Sequence, residues 1–208
     1  FNGAVIVSKY ILRNDVRKHG SGNAGLTNFF RTFGGPLTFV VILTDVLKAV
    51  VAILVARELF TAGYTDFLSA ADATAFWRAF ADYWAALFCL LGHMFPCMFG
   101  FKGGKGILSG GTLVLLLNWR VAAVAWALFL LLWLTTRYVS LASITATCSA
   151  PIPVYFVYGH NWLYTGLCLA VAALVVWCHR ENIQRLLHGT EKKFKWHVNP
   201  TEGKDPPK

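Results

Sequence analysis

Charge is scarce in this chain. Only 14% of its 208 residues are Asp, Glu, Lys or Arg, where an ordinary soluble domain carries about 25%. A chain that is also 56% hydrophobic, with a mean hydropathy of +0.53, is hard to keep in water. Acids are scarcest: ten Asp and Glu stand against nineteen Lys and Arg. No carboxylate cluster offers the oxygen ligands that a divalent metal needs. The five cysteines (Cys89, Cys97, Cys148, Cys168 and Cys178) form no CxxC pair and show no metal-ligand spacing, so they read as buried thiols acting as small hydrophobes. Neither a metal nor a cofactor is expected. The formal charge of +9 is shared with nucleic-acid binders, but such a protein does not need a stretch like Val121–Thr136 without one charge. Nucleic acid is therefore set aside as a partner.

What is present is a series of long uncharged runs separated by short basic bursts, the pattern of membrane spans and their loops. Twelve residues precede Arg13, fewer than the about 20 of a full span, so the first helix is expected to be cut short. Pro36–Ala56 is the clearest span, with Pro36 suited to a helix's first turn. Its interior pair Asp45 and Lys48 lies at i,i+3 and reads either as a functional site or as a self-neutralising ion pair. Residues 57–82 read as an outer loop with an amphipathic lead-in to a span over Phe76–Phe95 that stops at Pro96. Ile107–Thr136 is broken at Asn118-Trp119-Arg120 and is either one long tilted helix or two short spans. Tyr138–Cys178 holds no formal charge and is long enough for two spans, turning at Gly159-His160-Asn161 and kinked by Pro151 and Pro153.

Sidedness resolves the broken segment. A hairpin there keeps Arg13, Arg17, Lys102, Lys105, Arg137 and the Lys-rich tail on one side and leaves only Arg57, Arg78 and Arg120 on the other. A single span would send the tail to the opposite side, against the positive-inside rule. The expected fold is all-α: a polytopic helix bundle of seven spans, N-terminus outside. It forms one transmembrane domain over 1–208, with residues 192–208 as a basic cytoplasmic tail.

Three segments are too polar and glycine-rich for ordinary connections, and the topology puts all three on the cytoplasmic side. The first is Ser21-Gly22-Asn23-Ala24-Gly25-Leu26-Thr27-Asn28 with Arg31. Its small residues admit a ligand close to the backbone, while Ser21, Asn23, Thr27, Asn28 and Arg31 supply hydrogen-bonding groups. The same Ser, Thr and Asn also suit a helix-capping loop. The second runs from Gly92-His93 and Pro96 to Lys102-Gly103-Gly104-Lys105-Gly106. It is not a Walker A loop, because Gly106 stands where Ser or Thr must follow the lysine. Glycines around a lysine before a helix suit a phosphate, and a basic loop touching lipid headgroups explains them equally well. The third is His179 to Leu187, then Gly189 and Glu191, where His179, Asn182 and Ile183 share a helix face. Several cations, two glycine loops and few acids make a phosphate or phosphate-ester site the natural reading.

The strings SGNAGLTNFFR, GHMFPCMFGFKGGKG and HRENIQRLLHGTE, in that order, resemble the acyl-phosphate:glycerol-3-phosphate acyltransferase family of bacterial membranes. The motifs cover about a fifth of the chain, and the span pattern agrees over nearly all of it. The resemblance implies transfer of a fatty acyl group from acyl phosphate to the 1-hydroxyl of sn-glycerol 3-phosphate, giving lysophosphatidic acid and phosphate. It also implies a multi-pass inner-membrane enzyme whose motifs face the cytoplasm. Acyl phosphate, glycerol 3-phosphate and the bilayer are then its partners; no oligomeric state is implied. Thioester-using soluble acyltransferases carry His-x4-Asp, and none of the six histidines has Asp five positions on.

By resemblance, Ser21, Arg31, His179 and Asn182 are catalytic, and Gly103-Gly104-Lys105-Gly106 binds glycerol 3-phosphate. Gly22, Asn23, Thr27 and Asn28 join the substrate-binding set, Ser140 and Ser143 belong to the pocket wall, and Glu191 ties the tail helix to the site. Either His179 as a general base or the donor phosphate itself can take the hydroxyl proton. Direct transfer with removal by the phosphate is favoured, also over an acylated Ser21, which has no base partner by spacing. The alternative from another class is a membrane transporter of phosphorylated metabolites, which calls for an internal repeat or helices broken in matched halves. Neither is found.

Overall fold

The computed structural model describes the backbone of residues 1–64 and 71–195, and the side chains within them outside 61–76. Among the described residues the fold is all helix. The elements are α1 (Gly3–Ile6, continuing as a π turn to Ile11), α2 (Leu26–Phe33), α3 (Leu37–Tyr64), α4 (Ala71–Met94) and α5 (Ile107–Leu117). They continue with α6 (Trp119–Thr136), α7 (Val139–Ser149), α8 (Pro151–Val157), α9 (Trp162–Cys178) and α10 (Arg180–Leu187).

Asn118 ends α5 and caps α6, accepting the Arg120 N–H at 3.0 Å. Trp126 Nε1 then donates to the Gly111 carbonyl at 3.2 Å. These residues lie at nearly equal distances on either side of the break, so the chain turns back as a hairpin; one tilted helix cannot bring them together. Pro151, with no N–H to give, separates α7 from α8. Gly159 and His160, both with positive φ, make the turn into α9, whose cap Asn161 accepts the Leu163 N–H at 2.9 Å.

The stretch 57–82 departs from the expected outer loop. Helix α3 continues to Tyr64, beyond Ala56, and α4 is already helical at Ala71; residues 65–70 lie outside the described residues. Arg57 makes the extension tolerable by pairing with Asp82 on α4 at 2.7 Å and donating to the Leu116 carbonyl at 3.2 Å. Of the charges that suggested a loop, Arg57 and Asp82 are thus stitches between α3, α4 and α5.

Three helices are long and apolar enough to cross a bilayer among the described residues: Leu37–Phe60, Trp119–Thr136 and Val139–Val157, the last including the Pro151 kink. A fourth is reached if α9 and α10, bent by 61°, are counted as one span. The larger count of seven requires α1, α4 and the eleven-residue α5 as well. Apolar residues stay exposed along outward faces, among them Leu43, Leu47 and Leu54 of α3 and Leu131 and Leu134 of α6, as a lipid-facing surface demands. Inside the bundle, Ala49, Ile53, Leu90, Leu113 and Val175 pack α3, α4, α5 and α9 together.

Candidate functional site

The three polar segments meet. Asn2 donates to the Ala24 carbonyl at 2.9 Å, and Arg17, paired with Asp15 at 2.7 Å, reaches the Phe99 carbonyl at 2.7 Å. The Ala24 N–H donates to the Gly103 carbonyl at 3.4 Å, so the first segment and the turn before it are held against the second. Lys105 donates to Asn182 Oδ1, which joins the second to the third. Arg31 donates to the Lys192 carbonyl at 3.1 Å, which joins the first to the tail.

Between them lies a cavity of about 1340 Å³. Its mouth is lined by Ser21, Asn23, Thr27, Asn28, Arg31, Lys105, Gly106, Ser140, Ser143, His179 and Asn182, so the four expected catalytic residues and seven of the ten expected binding residues share one wall. Seven Lys and Arg side chains face it against two carboxylates, Asp45 and Glu191, and both acids are already paired, with Lys48 and Arg185. Its deeper arm is apolar, walled by Leu90, Leu113, Val114, Phe129, Val171 and others. Contact with α5 extends from Gly106 to Leu117, a length of about 16 Å at helical rise.

Glu191 is the keystone of the polar end. Its Oε1 accepts from Ser140 Oγ at 2.7 Å and from Asn182 Nδ2 at 2.6 Å, and its Oε2 from Arg185 at 2.7 Å. Burial alone raises a carboxyl pKa; the bonds from Arg185, Ser140 and Asn182 outweigh it and hold Glu191 below the ordinary glutamate range. With Nδ2 committed to Glu191, Asn182 must turn Oδ1 toward Lys105. Burial, with Arg185 adding repulsion, pushes the Lys105 ammonium down to about 8. Burial likewise lowers Arg31, against the attraction of Glu191. His179 is buried, and its Nδ1 lies 2.8 Å from the Val175 carbonyl; that contact requires the proton on Nδ1 and leaves Nε2 with its lone pair.

Gly22, Gly103 and Gly104 do not line the cavity. The Gly103 and Gly104 N–H groups donate to the Met94 and His93 carbonyls at 3.1 and 3.2 Å, so they do not form an open anion nest. The glycines serve packing instead: a Cβ on Gly103 falls 2.6 Å from Pro96 Cδ, and one on Gly104 falls 2.7 Å from the Ala24 carbonyl oxygen. The donors left at the site are helix starts. Neither α2, beginning after Gly25, nor α5, beginning after Gly106, has a side-chain cap, and both starts face the cavity, an arrangement suited to anions. Asn28 is also structural, since it accepts the Ser21 N–H and donates to the Val16, His19 and Asn23 carbonyls, shaping its own loop. Ser143 Oγ donates to Val139 within α7 at 2.7 Å and keeps only acceptor capacity.

Two further groups belong to the cavity and its floor. Trp126, Phe129 and Trp133 wall the cavity from α6; their i,i+3,i+7 spacing is a legible stripe. The Asp45–Lys48 pair gains a third member, because Lys48 Nζ also contacts His93 Nδ1 directly beneath Gly104. Only the i,i+3 half of that triad is visible in sequence.

Residues 1–189 match the family described as glycerol-3-phosphate acyltransferase. The glycerol-3-phosphate acyltransferase of Syntrophomonas wolfei is 36% identical over 90% of this chain and 87% of its own length. That of Geobacter sulfurreducens is 39% identical over 87% of this chain and 84% of its own. Among solved structures, the chain is similar to PlsY (YgiH), an integral membrane glycerol 3-phosphate acyltransferase. Its glycerol 3-phosphate form shares 35% identity and a TM-score of 0.72, covering 93% of this chain and 90% of that one. A lysophosphatidic acid form shares 34% identity and a TM-score of 0.69, with the same coverage.

Proposed function

Because the chain belongs to the glycerol-3-phosphate acyltransferase family, an integral membrane acyltransferase family by its solved relative, we propose that it takes its acyl group from acyl phosphate and passes it to the 1-hydroxyl of sn-glycerol 3-phosphate. The products are lysophosphatidic acid and inorganic phosphate, and the reaction opens phospholipid synthesis. The observation that carries this reading is one cavity with a cationic mouth and an apolar arm about 16 Å long beside α5. The mouth suits two phosphate groups, and the arm suits an acyl chain drawn from the bilayer.

Acyl phosphate arrives activated, so the protein's task is to align two anions and neutralise them. Lys105, held against Asn182, and the start of α5 are assigned to glycerol 3-phosphate; Arg31 is assigned to the crowded phosphate charge between the substrates. The 1-hydroxyl oxygen attacks the acyl carbonyl carbon, the carbonyl carbon–phosphate oxygen bond breaks, and the hydroxyl proton leaves on the departing phosphate. Ser21 Oγ, without a hydrogen-bonded base among the described residues, is a ligand for substrate and not a nucleophile. His179, with Nε2 unprotonated, orients the hydroxyl. Asn23, Thr27, Ser140 and Ser143 complete the wall around the substrates. The site lies on the cytoplasmic side of the bacterial inner membrane, in a single domain of seven spans whose tail from residue 192 is cytoplasmic.

The test is direct. Purified full-length chain in liposomes, given palmitoyl phosphate and glycerol 3-phosphate, releases phosphate and forms lysophosphatidate in equal amounts. Folded protein that does neither, or that moves glycerol 3-phosphate across the bilayer without acylating it, refutes the proposal.

A further inference from the structure

The segment just beyond the family match, 190–195, is built into the cavity wall. Glu191, Lys192, Lys193, Phe194 and Lys195 all face the cavity. Its backbone is fixed at Phe194, whose N–H donates to the Arg137 carbonyl at 2.8 Å. Its side chains are fixed at three further points. Glu191 is held by Ser140, Asn182 and Arg185, and Lys193 Nζ lies 5.5 Å from the Tyr138 ring centroid. The Phe194 ring stacks on Phe30 of α2 (centroids 5.9 Å apart, planes at 15°) and meets Trp133 of α6 edge-on at 5.4 Å. Phe30 immediately precedes Arg31. The side-chain hydrogen bond that Arg31 makes is to this same segment, at the Lys192 carbonyl.

A charged side chain reaching into a cavity needs something to hold its fork in one direction. Here the holder is the tail. The ring of Phe194 ties α2 to α6 across the mouth and sets the Lys192 carbonyl opposite the guanidinium, so the tail decides where Arg31 points. We propose that Glu191–Lys195 is a strap across the cavity mouth that positions Arg31 for a substrate phosphate, with Phe194 as its latch. Phe194 is a positioning residue, because it touches Arg31's helix and not the reacting atoms. The proposal rests on the acyl-transfer reading above for the use to which Arg31 is put.

The experiment compares full-length wild type, Phe194→Ala, Phe194→Trp, Arg31→Lys and the Arg31→Lys/Phe194→Ala double variant. Each is assayed with palmitoyl phosphate and glycerol 3-phosphate, and glycerol 3-phosphate binding and thermal midpoints are measured in parallel. Arg31→Lys identifies which substrate's KM depends on the guanidinium. Phe194→Ala is expected to raise that same KM roughly tenfold with kcat changed less than about twofold. Phe194→Trp restores it, and the double variant is no worse than Arg31→Lys alone. Should Phe194→Ala fail to fold, Phe194→Leu keeps the bulk, loses the stacking, and is expected to show an intermediate rise. An unchanged KM in a folded Phe194 variant, or effects that multiply in the double variant, overturns the strap while leaving the acyltransferase reading intact. A wild-type protein that neither binds nor acylates glycerol 3-phosphate overturns both.

Discussion

Lys105 gives a prediction with a definite sign. Its ammonium is buried and faces Arg185, which brings its pKa down to about 8 from the ordinary 10.5. For a group whose cationic form is disfavoured, charge is present below that value and lost as pH rises through it. A glycerol 3-phosphate dianion, whose second ionisation lies at about 6, therefore meets a charged Lys105 from about pH 6 to 8 and a neutral amine above. At pH 9 about one molecule in eleven retains the charge. With palmitoyl phosphate saturating, kcat/KM for glycerol 3-phosphate should fall about tenfold between its plateau and pH 9, since that parameter reports the free enzyme. The limb in kcat should lie higher, because bound phosphate favours the ammonium.

Arg cannot lose its proton in this range. Lys105→Arg is therefore expected to have a lower plateau, because the guanidinium does not fit the Asn182 contact, and no limb at pH 8. Lys105→Met removes a hydrogen bond to a charged group worth about 1.5–3 kcal/mol, a loss of roughly ten- to hundredfold at pH 7. The assay is initial-rate phosphate release, corrected for spontaneous alkaline hydrolysis of the donor. A wild-type profile flat to pH 10, or a limb that survives in Lys105→Arg, refutes the assignment of the limb to this lysine.

Glu191→Ala strips partners from Ser140, Asn182 and Arg185 at once; it should destabilise by about 2–3 kcal/mol, read as a lower thermal midpoint, and release Asn182 from Lys105 so that activity collapses. Because the folded Glu191 carboxyl titrates below its ordinary range, its stabilisation is full above the unfolded glutamate range and is lost as acidification protonates it in the fold. Wild type should therefore lose more stability on acidification than Glu191→Gln. Gly104→Ala drives a methyl against the Ala24 carbonyl and the His93 ring; an overpacking cost of about 1–3 kcal/mol should displace Lys105 and show as lost activity in protein that still folds. Rapid quenching and intact-mass analysis during turnover should find no acyl adduct on Ser21; an adduct formed and discharged at the turnover rate would replace direct transfer with a covalent intermediate.

The sequence displayed its loops better than its helix ends. Asn118 was legible as a break because an isolated polar triplet inside an apolar run has few other uses. The extension of α3 past Ala56 was not legible. Arg57, Glu58 and Asp82 look like loop charges until Arg57 is seen to reach Asp82 and the Leu116 carbonyl across helices. The same holds at the site. Types and order of residues announced a cationic, polar mouth, while the division of labour within the glycine motif depends on which N–H groups the neighbouring carbonyls of His93 and Met94 have already taken.

That division has a physical consequence for how such a site is built. An open nest of glycine amides binds phosphate wherever the chain is free to curl around it, but a curled chain is also free to shift. Here Gly103 and Gly104 are pinned between the end of α4 and the first segment, where a side chain at either position has no room. On the proposed reading the anion is left to Lys105, Arg31 and two helix starts, with both cations tied to neighbouring segments. Arg31 is held from the tail, and Lys105 is held by an amide that Glu191 orients. Positioning two like-charged substrates within bonding distance requires fixed cations more than numerous ones. Removing any one anchor should therefore damage catalysis more than removing an exposed lysine such as Lys192, whose charge is duplicated by its neighbours on the same strap.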